Sequence, residues 1–336
     1  MRGGFQPRLR GAVSISGSSR RCCRKKMKAE VFRALAAGGF VSGEELGASA
    51  GITRAALWKQ IKALERDGAE VEASAGKGYR LKAAPGIPRA EYVEAYLRCG
   101  ARVFYKDVTE STNDDARAAA GESGLERAAF IAGRQTKGRG RKGRRWESPS
   151  GGLYISFLMR PKIDAGAVPG ITIIAAVSLC RALEKTAGIA PRIKWPNDIV
   201  LEDRKLAGIL TECTVGLDGI EYAVCGMGIN AGRVPEELAL RAASVSVNRT
   251  LLAARVTDEF FGAYDTFLER GLSEFIGEFG RRNCLAGRIT LETDKGEETG
   301  EFCGFDENGA LILDCAGERK RFIFGEVTAR GERGYV

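Results

Sequence analysis

The chain contains no histidine. That absence excludes Ser-His-Asp and Cys-His nucleophilic catalysis, and any His-ligated metal site, together. Cysteine is scattered: of nine, only Cys22 and Cys23 are neighbours, and no Cys-x-x-Cys occurs. No disulfide framework is suggested, and a reducing cytoplasm fits this usage. Apolar runs fall short of the ~20 residues that a spanning helix needs, so no membrane partner is expected. Acid is missing from residues 1–26, which carry eight Arg or Lys. The formal net charge is +9, yet beyond that head 44 basic residues face 43 acidic ones. The rest of the chain is nearly neutral, and its charge says little about partners. The head has the composition of an organellar transit peptide. Met27 opens a well-patterned helix, however, so residues 1–26 read as a misassigned extension that is expected to be disordered.

With 336 residues, 44% hydrophobic and 28% charged, the remainder is long enough for two or three globular domains. Residues 27–84 read as a winged helix-turn-helix. A helix over about Lys28–Ala37 stops at Gly38-Gly39. Ser42 with Glu45 three residues later makes a capping box for a second helix, and Thr53 caps a third. Extended runs over about Ala69–Ala73 and Tyr79–Lys82 flank Gly76-Lys77-Gly78 as a wing-like hairpin. On the third helix Arg54, Ala55, Trp58, Lys59 and Lys62 fall away from the apolar positions. With Lys77 they form a candidate DNA-binding face, as in helix-turn-helix modules. The same face also suits a protein-interaction module with solvated cations. Nine basic and seven acidic residues between Met27 and Lys82 neutralise few phosphates per copy, so useful affinity implies a dimer on two half-sites.

Residues 85–284 follow the linker Ala83–Pro88 and mix strand-like runs (Ala129–Ala132, Leu153–Leu158, Ile199–Leu201, Ala207–Thr211, Tyr222–Gly228) with helical ones (Asn113–Ala120, Ile171–Lys185, Leu251–Leu268). The fold class is therefore α+β, with a mixed α/β centre. Residues 285–336 alternate in short strands between turn signals such as Asn308-Gly309 and Gly317-Glu318, and are expected to close into a small SH3-like β-barrel.

Four motifs in the centre carry chemistry. From Gly138 to Trp146, Arg139, Arg141, Lys142, Arg144 and Arg145 sit on a backbone loosened by Gly138, Gly140 and Gly143. Such a loop suits an anion, because glycine allows close approach and arginine offers a permanently charged fork. By itself the run is equally a solvated basic linker. Glu110-Ser111-Thr112-Asn113 lies at a strand-to-helix junction, where small polar side chains cap a helix or bind a ligand. Lys194-Trp195-Pro196-Asn197-Asp198 fixes a lysine and two polar groups around a proline, and Gly226-Met227-Gly228-Ile229-Asn230 lets a flat group approach the backbone.

Together with Gln135 and Arg204-Lys205-Leu206-Ala207-Gly208-Ile209-Leu210, these motifs resemble the biotin–protein ligases. Ser42–Gly47, Arg54–Ala56 and Gly76–Tyr79 resemble the winged domain of the bifunctional ligases that also repress biotin synthesis. Lipoate ligases share the class II synthetase-like fold, but their longer glycine-rich signature is not found. The resemblance implies that biotin and ATP, with Mg²⁺, form biotinyl-5′-adenylate, and that biotin passes to a lysine of the biotin carboxyl carrier protein of acetyl-CoA carboxylase. It implies Lys194, Arg139 and Arg141 as catalytic residues. Ser111, Thr112, Asn113, Gln135 and Gly140, with those three, would hold biotin. Trp146, Asn197, Asp198, Gly226, Gly228, Asn230 and, more loosely, Arg330 would approach ATP or the adenylate. Asn197 and Asp198 would orient Lys194 or help to hold Mg²⁺; no metal ligand is assigned. A homodimer formed with adenylate bound, operator DNA of biotin synthesis genes and a cytoplasmic location complete the expectation. Two alternatives stay open: a ligand-sensing DNA-binding regulator without turnover, and a ligase whose winged domain no longer binds DNA.

Overall fold

A computed structural model describes residues 16–122, 124–217, 219–232, 234, 237, 240–293, 296–323 and 328–330, with the backbone alone for 16–25 and 328–330. The chain divides into two units, Met1–Ala83 and Ala84–Val336.

In the first unit, α1 (Ser16–Ala36), α2 (Gly43–Ala50) and α3 (Arg54–Arg66) precede an antiparallel hairpin of β1 (Glu70–Ser74) and β2 (Gly78–Ala83). Helix α1 begins well before Met27, so the expected disorder does not hold for 16–26; residues 1–15 lie outside the described residues. The capping box forms: Ser42 Oγ accepts from Glu45 N at 3.1 Å, and Ser42 N donates to Glu45 Oε2 at 2.9 Å. Those bonds to the charged form hold the Glu45 carboxyl below its ordinary range. Thr53 Oγ1 accepts from Ala56 N and starts α3. The side chains of Val31, Phe32, Leu35, Leu46, Leu57, Ile61 and Leu64 are buried. Gly78, at φ +96°, is required where the wing crosses the chain, because a Cβ there would overlap the Val41 carbonyl.

The second unit is built on a seven-stranded mixed sheet in the order β3-β4-β5-β9-β8-β7-β6. Its strands are β3 (Arg102–Lys106), β4 (Arg127–Ala132), β5 (Leu153–Met159), β6 (Arg192–Lys194), β7 (Asp198–Leu201), β8 (Arg204–Gly216) and β9 (Gly219–Ile229). Only β3 and β4 run parallel; the remaining neighbours are antiparallel. One face packs on α6 (Val168–Ala187), α7 (Arg249–Arg270) and α8 (Ser273–Arg282). There Phe157 stacks on Phe260 with ring centroids 4.5 Å apart. The segment Ala165–Ala187 holds an 18-residue window of mean hydropathy 1.7 and is long and apolar enough to cross a membrane, which corrects the expectation from apolar runs alone. It lies mostly buried as the core helix of this unit, as a helix apolar on all sides must. On the other face α5 (Thr112–Ala119) covers one end, with Ala116, Leu125, Ala128, Phe130, Leu158 and Val224 as its core.

The short helix α4 (Ala90–Glu94) precedes β3; neither it nor β3 and β6 carries a strong periodic signal, whereas α8 does, with Phe275 and Phe279 buried one turn apart. The C-terminal strands β10 (Arg288–Thr293), β11 (Gly296–Phe305), β12 (Leu311–Cys315), β13 (Glu318–Phe322) and β14 (Thr328–Arg330) form an antiparallel sheet in the order β13-β12-β11-β10-β14. This small antiparallel C-terminal domain, a four-strand meander with the last strand returning beside the first, is the one expected; among the described residues no ladder joins β13 to β14.

Candidate functional site

Strand alternation lays the floor of a cavity of about 390 Å³. Ile155, Phe157, Ala207, Ile209, Cys225, Met227 and Ile229 belong to the core beneath α6 and α7. The alternate positions therefore face the other way. Cross-strand register stacks Tyr154, Gly228 and Gly208 in one row, and Ser156, Gly226 and Leu210 in the next. Glycines on this face leave room above the backbone. Asn113 and Trp146 use that room: a Cβ on Gly226 would overlap the Asn113 amide, and one on Gly228 would overlap the Trp146 indole.

The start of α5 forms one wall. Gln135 Oε1 accepts from Thr112 N at 2.8 Å and from Thr112 Oγ1 at 3.1 Å, while Gln135 Nε2 donates to Ser148 Oγ at 2.9 Å. Buried Ser156 Oγ lies 2.7 Å from Thr112 Oγ1 and 2.6 Å from Asn113 Oδ1. Asn113 Nδ2 donates to Glu212 Oε2 at 2.6 Å. The Asn113 amide is thus fixed on both sides by the scaffold. Ser111 is buried at the helix start and lines the cavity.

The glycine–arginine run folds into a tight loop: Gly140 N donates to Arg144 O at 2.7 Å, and Trp146 N to Gly138 O at 2.9 Å. Its tip takes Lys142 and Gly143 through the left-handed region, at φ 55° and 71°. Arg139 reaches Asp114 through both terminal nitrogens, each at 2.7 Å. That pair raises the Arg139 pKa and holds the Asp114 carboxyl at about 2, with Arg117 on the same carboxylate contributing further. Arg141 donates to Asn197 Oδ1 at 3.2 Å, and its burial pushes the guanidinium below its ordinary value.

Lys194, 6% exposed, ends β6 directly across from Asp198 in β7, with cis Trp195–Pro196 in the turn between. Trp195 Nε1 donates to Gly309 O at 3.1 Å, so the turn preceding β12 braces the back of this hairpin. Asn197, expected to orient Lys194, has its amide engaged by Arg141 and by Ile209 O, the latter at 2.7 Å. Asp198 Oδ1 lies 2.6 Å from Lys205 Nζ, which also sits 5.3 Å from the Trp146 ring centroid. Trp146 Nε1 is buried and has no acceptor among the described residues. Asn230 Nδ2 donates to Lys205 O and Ala243 O, holding the chain around 243 to the rim.

Thus Ser111, Thr112, Asn113, Gln135, Arg139, Gly140, Arg141, Trp146, Lys194, Asn197, Asp198, Gly226, Gly228 and Asn230 all line one cavity. Arg330 pairs with Thr290 at the backbone, but its side chain lies outside the described residues. Asp114, Ser148, Ser156, Lys205 and Glu212 complete the site's bonding, and sequence reasoning gave them no role. Asp114 has the pattern of an ordinary first-turn acid, and Lys205 stands in a family-like phrase that assigns it no function. In the first unit Arg54, Ala55, Trp58, Lys59 and Lys62 are exposed along α3, and Lys77 is exposed at the wing. Trp58 is 56% exposed, and Lys62 is paired with Glu65 at 2.6 Å.

The arrangement can hold an anion between two arginines and a buried lysine, beside an indole packed on the glycine floor. Among the described residues no cluster of three His, Cys, Asp or Glu side chains could hold a metal ion. Residues 105–230 match the biotin/lipoate A/B protein ligase family, 28–80 an HTH domain, and 288–330 the biotin protein ligase C-terminal domain. The bifunctional ligase/repressor BirA of Escherichia coli is 35% identical over 308 residues, covering 88% of this chain and 95% of the relative. The protein of the same name from Bacillus subtilis is 32% identical over 291 residues, covering 82% and 89%. A solved biotin protein ligase of Aquifex aeolicus, in complex with biotin and ATP, aligns with a TM-score of 0.60 at 29% identity. That alignment covers 68% of this chain and 99% of the other.

Proposed function

The chain belongs to the biotin protein ligase family, in the branch that joins a ligase to a helix-turn-helix repressor module, and from that premise we propose how its residues divide the work. Residues 85–284 bind biotin and ATP and form biotinyl-5′-adenylate; 285–336 brace that site, and 27–84 bind DNA. The observation that carries the reading is the convergence of buried Lys194, the Arg139–Arg141 loop and the Thr112–Gln135 wall on one cavity.

In the first step a biotin carboxylate oxygen attacks the α-phosphorus of ATP. The bond to the β-phosphate oxygen breaks, and pyrophosphate leaves. Two anions must approach and a charged phosphorus must be stabilised, which positioning and fixed positive charge accomplish without an enzyme nucleophile or a histidine. Lys194, as a compact charge, bridges the carboxylate and the α-phosphate. Arg139 and Arg141, with the Gly140 backbone between them, hold the resulting acyl phosphate. Gln135, Thr112 and Ser111 offer donors and acceptors to the ureido ring. In the second step the amine of a carrier-protein lysine attacks the acyl carbon, the C–O bond to AMP breaks, and the amine gives up a proton. Trp146 and the closed loop shield the mixed anhydride from water. Mg²⁺ would screen the ATP phosphates, arriving with the nucleotide; of the carboxylates that line the cavity, Asp198 is already paired with Lys205.

The protein substrate on this reading is the biotin carboxyl carrier protein of acetyl-CoA carboxylase, in the cytoplasm. Adenylate binding favours a homodimer that presents two α3 helices and wings to an operator of biotin synthesis genes, coupling ligand to transcription by linkage. The ligase test is adenylate formation from labelled biotin and ATP, comparing wild type with Lys194→Ala. A fall of about 10²-fold or more is expected, on the scale of losing an oxyanion-hole donor. Activity within about threefold of wild type would remove Lys194 from its assigned role, since removing a charge-assisted bond costs well over that. A gel shift with promoter DNA of biotin synthesis genes, with and without adenylate, tests the repressor; no specific shift in either state leaves the enzyme alone.

A further inference from the structure

Strand β5 is buried at all seven of its positions, and Ser156 places among them a hydroxyl that is 0% exposed. A buried hydroxyl is costly unless its bonds are made. Ser156 lies one bond behind the cavity, against Thr112 and Asn113, which line it. The direction of each bond in this group follows from one fixed end. The Glu212 carboxylate on β8 only accepts, and Arg117 donates to its Oε1 at 3.3 Å. The Asn113 atom 2.6 Å from Glu212 Oε2 is therefore the amide nitrogen, which turns Asn113 Oδ1 toward Ser156. An amide oxygen only accepts as well, so the single Ser156 proton goes to it, over 2.6 Å. Ser156 Oγ is left as an acceptor. Thr112 has one hydroxyl proton and two acceptors for it in the wall, Ser156 Oγ at 2.7 Å and Gln135 Oε1 at 3.1 Å. Gln135 Oε1 also takes the Thr112 backbone N–H at 2.8 Å, so Ser156 is the nearer and emptier of the two. What the Thr112 hydroxyl has left for the cavity is a lone pair.

We propose that Ser156 and Glu212 are positioning residues that turn the Thr112 proton away from the cavity, so that the site requires an N–H donor from its ligand at that point. This rests on the reading of the cavity as the biotin site. A cyclic urea meets the requirement, with an N–H on each side of its carbonyl. A ring oxygen in the same place would meet a second lone pair. Selection of this kind works by refusal as much as by attraction. The competing explanation is that Ser156 and Glu212 only brace the start of α5 against β5 and β8.

The experiment uses the full chain with biotin and its two cyclic carbamate analogues, in each of which a ring oxygen replaces one ureido N–H. Adenylate formation is measured for wild type, Ser156→Ala and Glu212→Gln, with melting temperatures alongside. Ser156→Ala removes the nearer acceptor and lets the Thr112 proton turn toward the cavity. Glu212→Gln offers Asn113 either a donor or an acceptor, so its amide can reverse. In wild type, kcat/KM for one carbamate should be on the order of 10²-fold below that for biotin, as an unpaired buried acceptor implies. That penalty should narrow about tenfold in Ser156→Ala and about threefold in Glu212→Gln, while the penalty for the other isomer stays within about twofold of wild type. A bracing role would instead weaken the use of biotin and both analogues together; unchanged ratios in the variants would overturn the relay. So would a wild-type protein that takes both carbamates as readily as biotin. Should Ser156→Ala fail to fold, Glu212→Gln carries the same comparison from a partly exposed position. Failure of wild type to form adenylate from biotin would strike the ligase reading, and the relay with it, whereas turnover with unchanged ratios strikes the relay alone.

Discussion

At the scale of single residues, the site depends on what is small as much as on what is charged. Gly226 and Gly228 sit on the cavity face of β9, and each accommodates one particular side chain, Asn113 and Trp146. A methyl at Gly228 has to displace the indole, because the other side of the strand is packed core. Overpacking of that kind costs about 1–3 kcal/mol. Gly228→Ala should therefore lower adenylate affinity by about tenfold and shift Trp146 fluorescence to the red; an unchanged spectrum would show that the ring had not moved. The Asp114 pair also makes a pH prediction. The folded carboxyl titrates near 2, below its ordinary 3.8, so the pair stabilises the fold fully above the unfolded value. That contribution is lost as pH falls from about 4 towards 2. The stability difference between wild type and Asp114→Asn, measured by denaturant unfolding, should be constant from about pH 5 to 8 and narrow only in acid. With no histidine in the chain, no imidazole can obscure the plateau.

At the scale of elements, caps and turns were readable because their chemistry is local. Ser42 with Glu45 and Thr53 stand where the helix starts need them. Thr53→Ala should cost about 1 kcal/mol in unfolding of the first unit, the usual value of an N-cap. A loss below about 0.3 kcal/mol would mean that the Thr53–Ala56 bond adds nothing to the start of α3. The strands β4, β5, β7, β8 and β9 and the helices α5, α6 and α7 were also readable, from periodicity. By contrast β6 has three residues and α4 five, too short to establish a period. Helix α8 does carry the helical spacing, with Phe275 and Phe279 buried one turn apart, but within a run of only ten residues.

At the scale of the whole molecule, the charge is lopsided: the chain carries +9, and eight basic residues lie within 1–26. If that head neutralises phosphate, its removal should weaken non-specific duplex binding. The slope of log K against log salt should then flatten by roughly 0.9 for each phosphate left unneutralised. Salt titration of the full chain beside residues 27–336 measures this directly. Identical slopes would confine DNA binding to residues beyond 26.

The motifs and the caps are properties of neighbouring residues, and the sequence alone determined them. The chemistry was legible for the same reason, since Lys194, Arg139, Arg141, Thr112 and Gln135 lie in short runs of recognisable type. Only the tertiary structure decided how these residues bond. It set Asn197 against Arg141, gave Asp114 to Arg139 and Lys205 to Asp198, and held Asn113 between Ser156 and Glu212. Those partners come from a helix, a loop, a turn and several strands, up to 99 positions apart. Their meeting is fixed by sheet register, a long-range outcome of packing to which local pattern is blind.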